Sequence, residues 1–320
     1  MSEEASFPNV ELALIGAQQP FVLEELRRRF KIHAVYADPD PFAALARVGP
    51  NIRGAVGHGM AGLTRKHLEL APKLEICALN GVGLETSDLA AIHERGVVLT
   101  TTPVLFDDVA DLALALALAC CRQIARADRF VRAGRWGPER LPPGRKLTGM
   151  RAGIMGLGRI GVELARRLEG FKAKIGYVDP VPRDVPYRRY PDALALARES
   201  DIMFLCAAGG PKGSPPLVGG DILEALGPRG IFVNVARGWI VDEAALVAAL
   251  AEHKLGAAGL DVFLDEPKVP ALLRELDNVV LTPHIASSTE ETMSAMGACV
   301  IDNLISWFSG RGALTPVALS

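Results

Sequence analysis

The chain has almost no net charge, no long apolar run and no cysteine framework, and each absence excludes a class of protein. Lys and Arg number 35 against 37 Asp and Glu over 320 residues, a formal net charge of −2. With basic runs short and scattered, this balance excludes an electrostatic footprint for nucleic acid or for an anionic membrane surface. Cys77, Cys120, Cys121, Cys206 and Cys299 include an adjacent pair but no CxxC spacing. Neither a disulfide scaffold nor a metal site is therefore expected, and buried thiols in a reducing compartment are the simplest account. The longest apolar run, Leu112 to Cys121, lies between Asp111 and Arg122, well short of the ~20 residues that cross a bilayer as a helix. The opening MSEEASFPN lacks the basic-then-apolar order of a secretion signal. The expectation is a cytoplasmic protein whose partners are small molecules, with no nucleic acid and no membrane.

What is present is apolar mass and glycine in particular places. Apolar residues make up 49% of a chain that exceeds the usual size of one core, so two domains are expected. Residues 153–179, GIMGLGRIGVELARRLEGFKAKIGYVD, read as strand, glycine turn, helix, strand and terminal acid. Gly156 permits the sharp turn, Gly158 lets backbone amides approach a pyrophosphate, and Gly161 lets the helix pack tightly on the sheet. The phosphates would sit at a helix N-terminus, where unpaired N–H groups favour anions. Ile160, Leu164 and Leu168 recur at helical spacing, and Asp179 follows Gly161 by 18 residues. That context turns a weak glycine pattern into a dinucleotide-binding unit. A carboxylate at 179 can accept from both ribose hydroxyls and repels a 2′-phosphate, which favours NAD(H) over NADP(H). It can also be a turn former before Pro180, and Arg183, Arg188 and Arg189 just downstream could accommodate the 2′-phosphate of NADP(H).

Before this unit, residues 10 to 100 alternate strand-like segments (Glu11 to Ile15, Ile32 to Tyr36, Ala55-Val56, Glu75 to Leu79, Val97 to Thr100) with helical ones (Phe21 to Arg29, Thr64 to Leu70, Ser87 to Glu94). That rhythm indicates a parallel sheet of its own. A long helix, rich in alanine and leucine all round and so buried on several faces, is expected from about Val104 to Ala127. After a loop at Trp136 to Thr148, strands are expected near 153–156, 174–178, 202–206, 231–235, 257–260 and 279–281, then an amphipathic helix at about Glu290 to Phe308. The fold class is α/β, two doubly wound parallel-sheet domains with an interdomain cleft. The boundaries expected are 1–100 plus 286–320 for a flavodoxin-like substrate domain and 101–285 for the dinucleotide-binding domain.

Three clusters carry polar chemistry at expected strand ends: Asn234-Val235-Ala236-Arg237-Gly238, Asp261-Val262-Phe263-Leu264-Asp265-Glu266-Pro267 and Pro283-His284-Ile285-Ala286-Ser287. Open α/β sheets bind ligands beyond the carboxyl ends of their strands. Arginine, glutamate and histidine converging there is more than composition supplies.

These residues and their order resemble the D-2-hydroxyacid dehydrogenase family over essentially the whole chain, through the glycine turn, VNVARG, GLDVFLDEP, LTPHIAS, NGVGLETSDLAAIHERGVVLTTTP and DDVADLAL. ADRFVRAGRW and LTPHIASSTEET are similar to its glyoxylate and hydroxypyruvate reductase branch. The resemblance implies two Rossmann-like domains and the reduction of a 2-oxo acid, with His284 as proton donor, Glu266 as its partner and Arg237 as carboxylate ligand. It implies a substrate carboxylate held by amides around Gly81, Val82 and Gly83, with His58 in a substrate-side loop where the family is usually not histidine. Cofactor contacts are implied at Gly156, Gly158, Arg159, Ile160, Gly161, Asp179, Cys206, Ala207, Val235, Ala236, Asp261 and Ala286. Asp261 would bond the nicotinamide carboxamide or simply cap a strand end. A homodimer using the 104–127 helix and Trp136 is implied as well.

Where the branch often has a basic residue after Glu-Thr, this chain has Met293, and Leu105, Phe106 and Trp136 could line an apolar pocket. These departures leave room for a bulkier oxo acid, such as phenylpyruvate or 2-ketogluconate. Within the same resemblance stand a non-catalytic dinucleotide-sensing corepressor and a formate or phosphite dehydrogenase.

Overall fold

Short apolar strands that alternate with helices pair in parallel when each helix returns the chain to the end of the sheet where the previous strand began. The computed structural model, which describes residues 5–210 and 212–319, contains two such sheets. They lie in two compact units, Met1–Leu105 with Thr289–Ser320, and Phe106–Ser288.

The first unit runs β1 (Phe7–Leu14), α1 (Pro20–Arg29), β2 (Phe30–His33), α2 (Pro41–Val48), β3 (Ile52–His58), α3 (Arg65–Leu70), β4 (Ile76–Asn80), α4 (Leu89–Glu94) and β5 (Val98–Thr100), with sheet order β2-β1-β3-β4-β5. Helix α2 escaped the periodicity reading. Its signal is local: Asp40 accepts from the amides of Phe42 and Ala43, and Pro41 occupies the first helical position. The strand expected at Ile32 to Tyr36 ends at His33, and Val35–Ala37 tightens into a 3₁₀ turn.

The second unit opens with α5 (Phe106–Arg122) and α6 (Ile124–Arg132). The single helix expected over this stretch is therefore two, because Gln123 takes the left-handed conformation at φ 55°. The sheet follows through β6 (Arg151–Met155), α7 (Arg159–Gly170), β7 (Lys174–Val178), β8 (Arg188–Arg189), α8 (Ala193–Arg198), β9 (Ile202–Leu205), α9 (Gly220–Leu226), β10 (Ile231–Asn234), α10 (Glu243–Ala251), β11 (Ala257–Leu260), α11 (Ala271–Glu275) and β12 (Val279–Leu281), in the order β12-β11-β10-β9-β6-β7-β8. β9 and β10 are buried at every position, the polar Asn234 at the end of β10 included, as strands of a doubly covered sheet are. Helix α5 packs so closely on β11 that a Cβ at Gly259 would stand 2.9 Å from Leu116 Cβ. The closing helix α12 (Glu290–Phe308), capped by Thr289, returns the chain to the first unit and packs on α1 and β4.

Among the described residues no helix is long and apolar enough to cross a membrane. Phe232 is fully buried in β10, an interior strand of the seven-stranded sheet. Phe232→Ala should cost the second unit about 3–5 kcal/mol through lost transfer energy and a residual cavity, read as an earlier urea transition, while the first unit's transition stays in place.

Candidate active site

The carboxyl ends of β9, β10, β11 and β12 are aligned by register, Leu205 opposite Asn234, Asn234 opposite Leu260 and Leu260 opposite Leu281. The polar clusters leave the sheet side by side at that edge. Asn234 is 2% exposed, and its amide donates to Arg237 O at 3.0 Å while accepting from Ala236 N at 3.0 Å. The strand end is thereby folded into a turn that presents Arg237, whose Nη1 donates to Ala236 O at 2.8 Å. A Cβ at Gly238 would fall 1.9 Å from the Phe263 carbonyl carbon, so only glycine lets the Arg237 turn lie against the next cluster. There Phe263 N donates to Glu266 Oε1 at 3.0 Å, and Glu266 Oε2 lies 2.7 Å from His284 Nδ1. Arg237, Glu266 and His284 are thus joined through one packed stretch of backbone.

His284 itself has a left-handed backbone, φ 53°, which costs a non-glycine residue roughly 1 kcal/mol or more and needs support. Asp261 supplies that support. Fully buried, it accepts from Thr282 Oγ1 at 2.6 Å, Ile285 N at 2.9 Å and Ala286 N at 3.0 Å, while its carbonyl accepts from His284 N at 2.8 Å. Burial pushes the Asp261 carboxyl above its ordinary range, against the opposing pull of those hydrogen bonds.

The hydrogen bond to Glu266 holds the His284 imidazole above its ordinary pKa, more than offsetting its burial. For Glu266, burial acts upward, but the bonds from His284 and the Phe263 amide prevail and hold it below the usual carboxylate range. The raised imidazole contributes stability below its unfolded pKa, lost as pH rises through the folded value. The lowered carboxylate contributes stability above its unfolded pKa, lost as pH falls through the folded value. The pair is therefore charged, and stabilising, in the window between the two. In Glu266→Gln the imidazole should titrate at a lower pH than in the parent chain, as followed by NMR of the His284 ring. An unchanged midpoint would mean that Glu266 does not govern it.

The glycine turn adopts the geometry its spacing implies. Gly156 has φ 93°, and a Cβ on it would strike Ala207 Cα at 2.5 Å; one on Gly161 would meet Gly156 O at 2.3 Å; one on Gly158 would meet nothing within 4 Å. Open space therefore lies over Gly158 at the start of α7, with Arg159 and Ile160 in the first turn, whose amides have no helical acceptor. That cradle fits a dinucleotide pyrophosphate. Asp179, 7% exposed, accepts from Leu157 N at 2.8 Å, Val181 N at 3.0 Å and Arg183 Nη2 at 3.3 Å. It braces the glycine turn as well as facing it, and a carboxylate's roughly four acceptor sites leave room for a ribose hydroxyl.

In the first unit, Gly81 follows β4 with φ 135°, and its amide donates to Thr102 Oγ1 at 2.8 Å, so the free amides of that turn belong to Val82 and Gly83. His58, at the end of β3, covers Gly16 and accepts at Nδ1 from Met60 N at 3.3 Å, which leaves the proton on Nε2. Burial lowers its pKa and keeps it neutral. Cys206 and Ala207 follow β9, with the Cys206 thiol pushed up to about 12 by burial. Sequence reasoning passed over three residues that shape the site. Asn234 and Thr282 belonged to quoted motifs but carried no separate signal, and Trp239, next to the Arg237-Gly238 pair, carried none either.

Residues 114–286 match the family described as "D-isomer specific 2-hydroxyacid dehydrogenase, NAD binding domain". The chain is 42% identical over 299 residues to the hydroxyphenylpyruvate reductase of Plectranthus scutellarioides, covering 93% of this chain and 95% of that one. It is similar to the structure of a 2-hydroxyacid dehydrogenase from Ketogulonicigenium vulgare Y25 (TM-score 0.92, 43% identity, 98% and 99% of the two chains). It is also similar to an NADPH-dependent glyoxylate/hydroxypyruvate reductase from Sinorhizobium meliloti in complex with NADP and malonate (TM-score 0.87, 37% identity, 97% of each).

Proposed function

Because this chain belongs to the D-isomer specific 2-hydroxyacid dehydrogenase family, we propose that His284, Glu266 and Arg237 carry out the reduction of a small 2-oxo acid such as glyoxylate or hydroxypyruvate. The chain is an NAD(P)-dependent oxidoreductase acting on CH–OH groups. The observation that carries the assignment of roles is the 2.7 Å His284–Glu266 pair beside Arg237 at adjacent strand ends.

The nicotinamide, when bound, supplies a hydride to the carbonyl carbon. The chain supplies the rest. His284, protonated because Glu266 holds its Nδ1–H, delivers the Nε2 proton to the carbonyl oxygen, and the product is the 2-hydroxy acid. Arg237 binds the carboxylate through charge-assisted hydrogen bonds, and the amides of Val82 and Gly83 are proposed to share it. Gly156, Gly158, Arg159, Ile160 and Gly161 would hold the pyrophosphate. Asp179 would hold the ribose, which favours NAD(H), while Arg183 beside it lets NADP(H) bind. Cys206, Ala207, Val235, Ala236 and Ala286 would line the nicotinamide end, with Asp261 buried beneath Ala286 and holding its amide.

One observation favours a second substrate class. A recess of about 210 Å³, lined by Phe263, Pro267, Val269, Leu281 and Pro283, opens beside Glu266 and His284. An apolar wall there supports a bulkier oxo acid with an aromatic tail.

The same reading includes a homodimer, supported by Ile124 and Val131 on α6 and Trp136 beyond it, which is 77% exposed. It also includes cytoplasmic residence, supported by five free cysteines with Cys120 and Cys121 adjacent.

Oxidation of NADH and NADPH with glyoxylate, hydroxypyruvate and phenylpyruvate tests the reading. His284→Ala should lower kcat about 10²–10⁴-fold, and Arg237→Ala should lower kcat/KM roughly 10- to 100-fold, with reduced-cofactor binding, read by its fluorescence, unchanged in both. Substantial turnover in His284→Ala would sink the proton-donor role. Reduction should hold at low pH and fall as pH rises through the raised pKa of His284, and oxidation of the 2-hydroxy acid should rise through the same value.

A further inference from the structure

Trp239 has no part in the reaction as assigned above, yet it stands against the guanidinium that reaction depends on. The Arg237 guanidinium carbon lies 5.9 Å from the centroid of the Trp239 ring. The ring is itself held in place. Its Nε1–H donates to Gly210 O at 3.1 Å, in the loop that leaves β9 after Cys206 and Ala207. That loop lies flush on the next residue, since a Cβ at Gly209 would meet Ile240 Cγ2 at 2.1 Å. Its far end is sewn to the same place, with Leu217 N and Val218 N donating to Ile240 O at 2.8 and 3.1 Å. On the other side Gly238 is pressed against the Phe263 peptide at 1.9 Å from a notional Cβ. The 3₁₀ turn Gly238–Ile240 is thus wedged between two backbones, and Trp239 is tied to the loop after β9 through its Nε1–H.

We propose that Trp239 is a positioning residue: its indole face fixes the plane of the Arg237 guanidinium for the substrate carboxylate. The physical reason is twofold. A cation over an indole face is attracted by the ring quadrupole, by about 0.5–2 kcal/mol depending on desolvation. An arginine preset in its fork geometry also loses less rotamer entropy when the carboxylate arrives. The benefit falls on binding of the oxo acid and not on the proton transfer, so it appears in one Michaelis constant.

This inference rests on the reading of Arg237 as the carboxylate ligand. In Trp239→Leu, which removes both the ring face and the N–H, KM for glyoxylate should rise about tenfold, equivalent to about 1.4 kcal/mol, while kcat and KM for the reduced cofactor stay within about twofold. In Trp239→Phe, which keeps a ring but loses its tie to Gly210, KM for glyoxylate should fall between the parent and Trp239→Leu. An unchanged KM for glyoxylate in Trp239→Leu overturns the proposal. So does a parallel rise in KM for the cofactor, which would make Trp239 a prop for the 206–218 loop. So does a Trp239→Phe enzyme no better than Trp239→Leu. Should Trp239→Leu not fold, as judged by circular dichroism, Trp239→Met takes its place with the same expected rise. Arg237→Ala separates the two levels: full turnover there refutes the carboxylate role itself, whereas lost turnover with an unaffected Trp239→Leu refutes only the role of the indole.

Discussion

A carboxylate with no exposed surface, Asp261, is the constraint on which the active edge depends. It gathers the hydroxyl of Thr282 and the amides of Ile285 and Ala286, three donors from a loop that would otherwise have nothing to bond below the surface. Those bonds hold the loop after β12 in the one shape that sets His284 in a left-handed conformation with its imidazole against Glu266. Burying such a group is costly unless it is satisfied. Here the cost is offset locally, and the strain at His284 is held by the same atoms.

Two carboxylates five residues apart are driven in opposite directions by their surroundings. Burial dominates at Asp261 and raises it, whereas at Glu266 hydrogen bonds from the imidazole and a backbone amide overcome burial and lower it. Asp261 therefore serves as scaffold, and Glu266 sets the charge of the imidazole. Arg237 completes the set through packing, because the contact of Gly238 with the Phe263 peptide ties its turn to the backbone that also donates to Glu266.

Much of the architecture was legible in the string of residues. The apolar segments at 202–205 and 231–233 became doubly covered strands, and the glycines at 156, 158 and 161 acquired the turn, the opening and the close packing their spacing implied. Periodicity misled where one residue decided the outcome. A left-handed Gln123 divides the expected helix into an alanine- and leucine-rich half and an arginine-rich one, and α2 is a short helix marked by its cap and proline that buries Ala44 and Leu45.

The sequence by itself determined the strand and helix rhythm, the dinucleotide turn and the three polar clusters that end neighbouring strands, because these rest on local spacing and on chemistry that only a few residue types possess. Tertiary structure alone decided which carboxylate would hold the histidine loop and which would pair with the imidazole. It also decided that the Gly81 amide is taken by Thr102, that Asp179 braces the turn it faces, and that Trp239 lies against Arg237. These relations join residues on different strands or loops, and their distances are set by the register of the sheet and the packing of one backbone on another, which no local pattern contains.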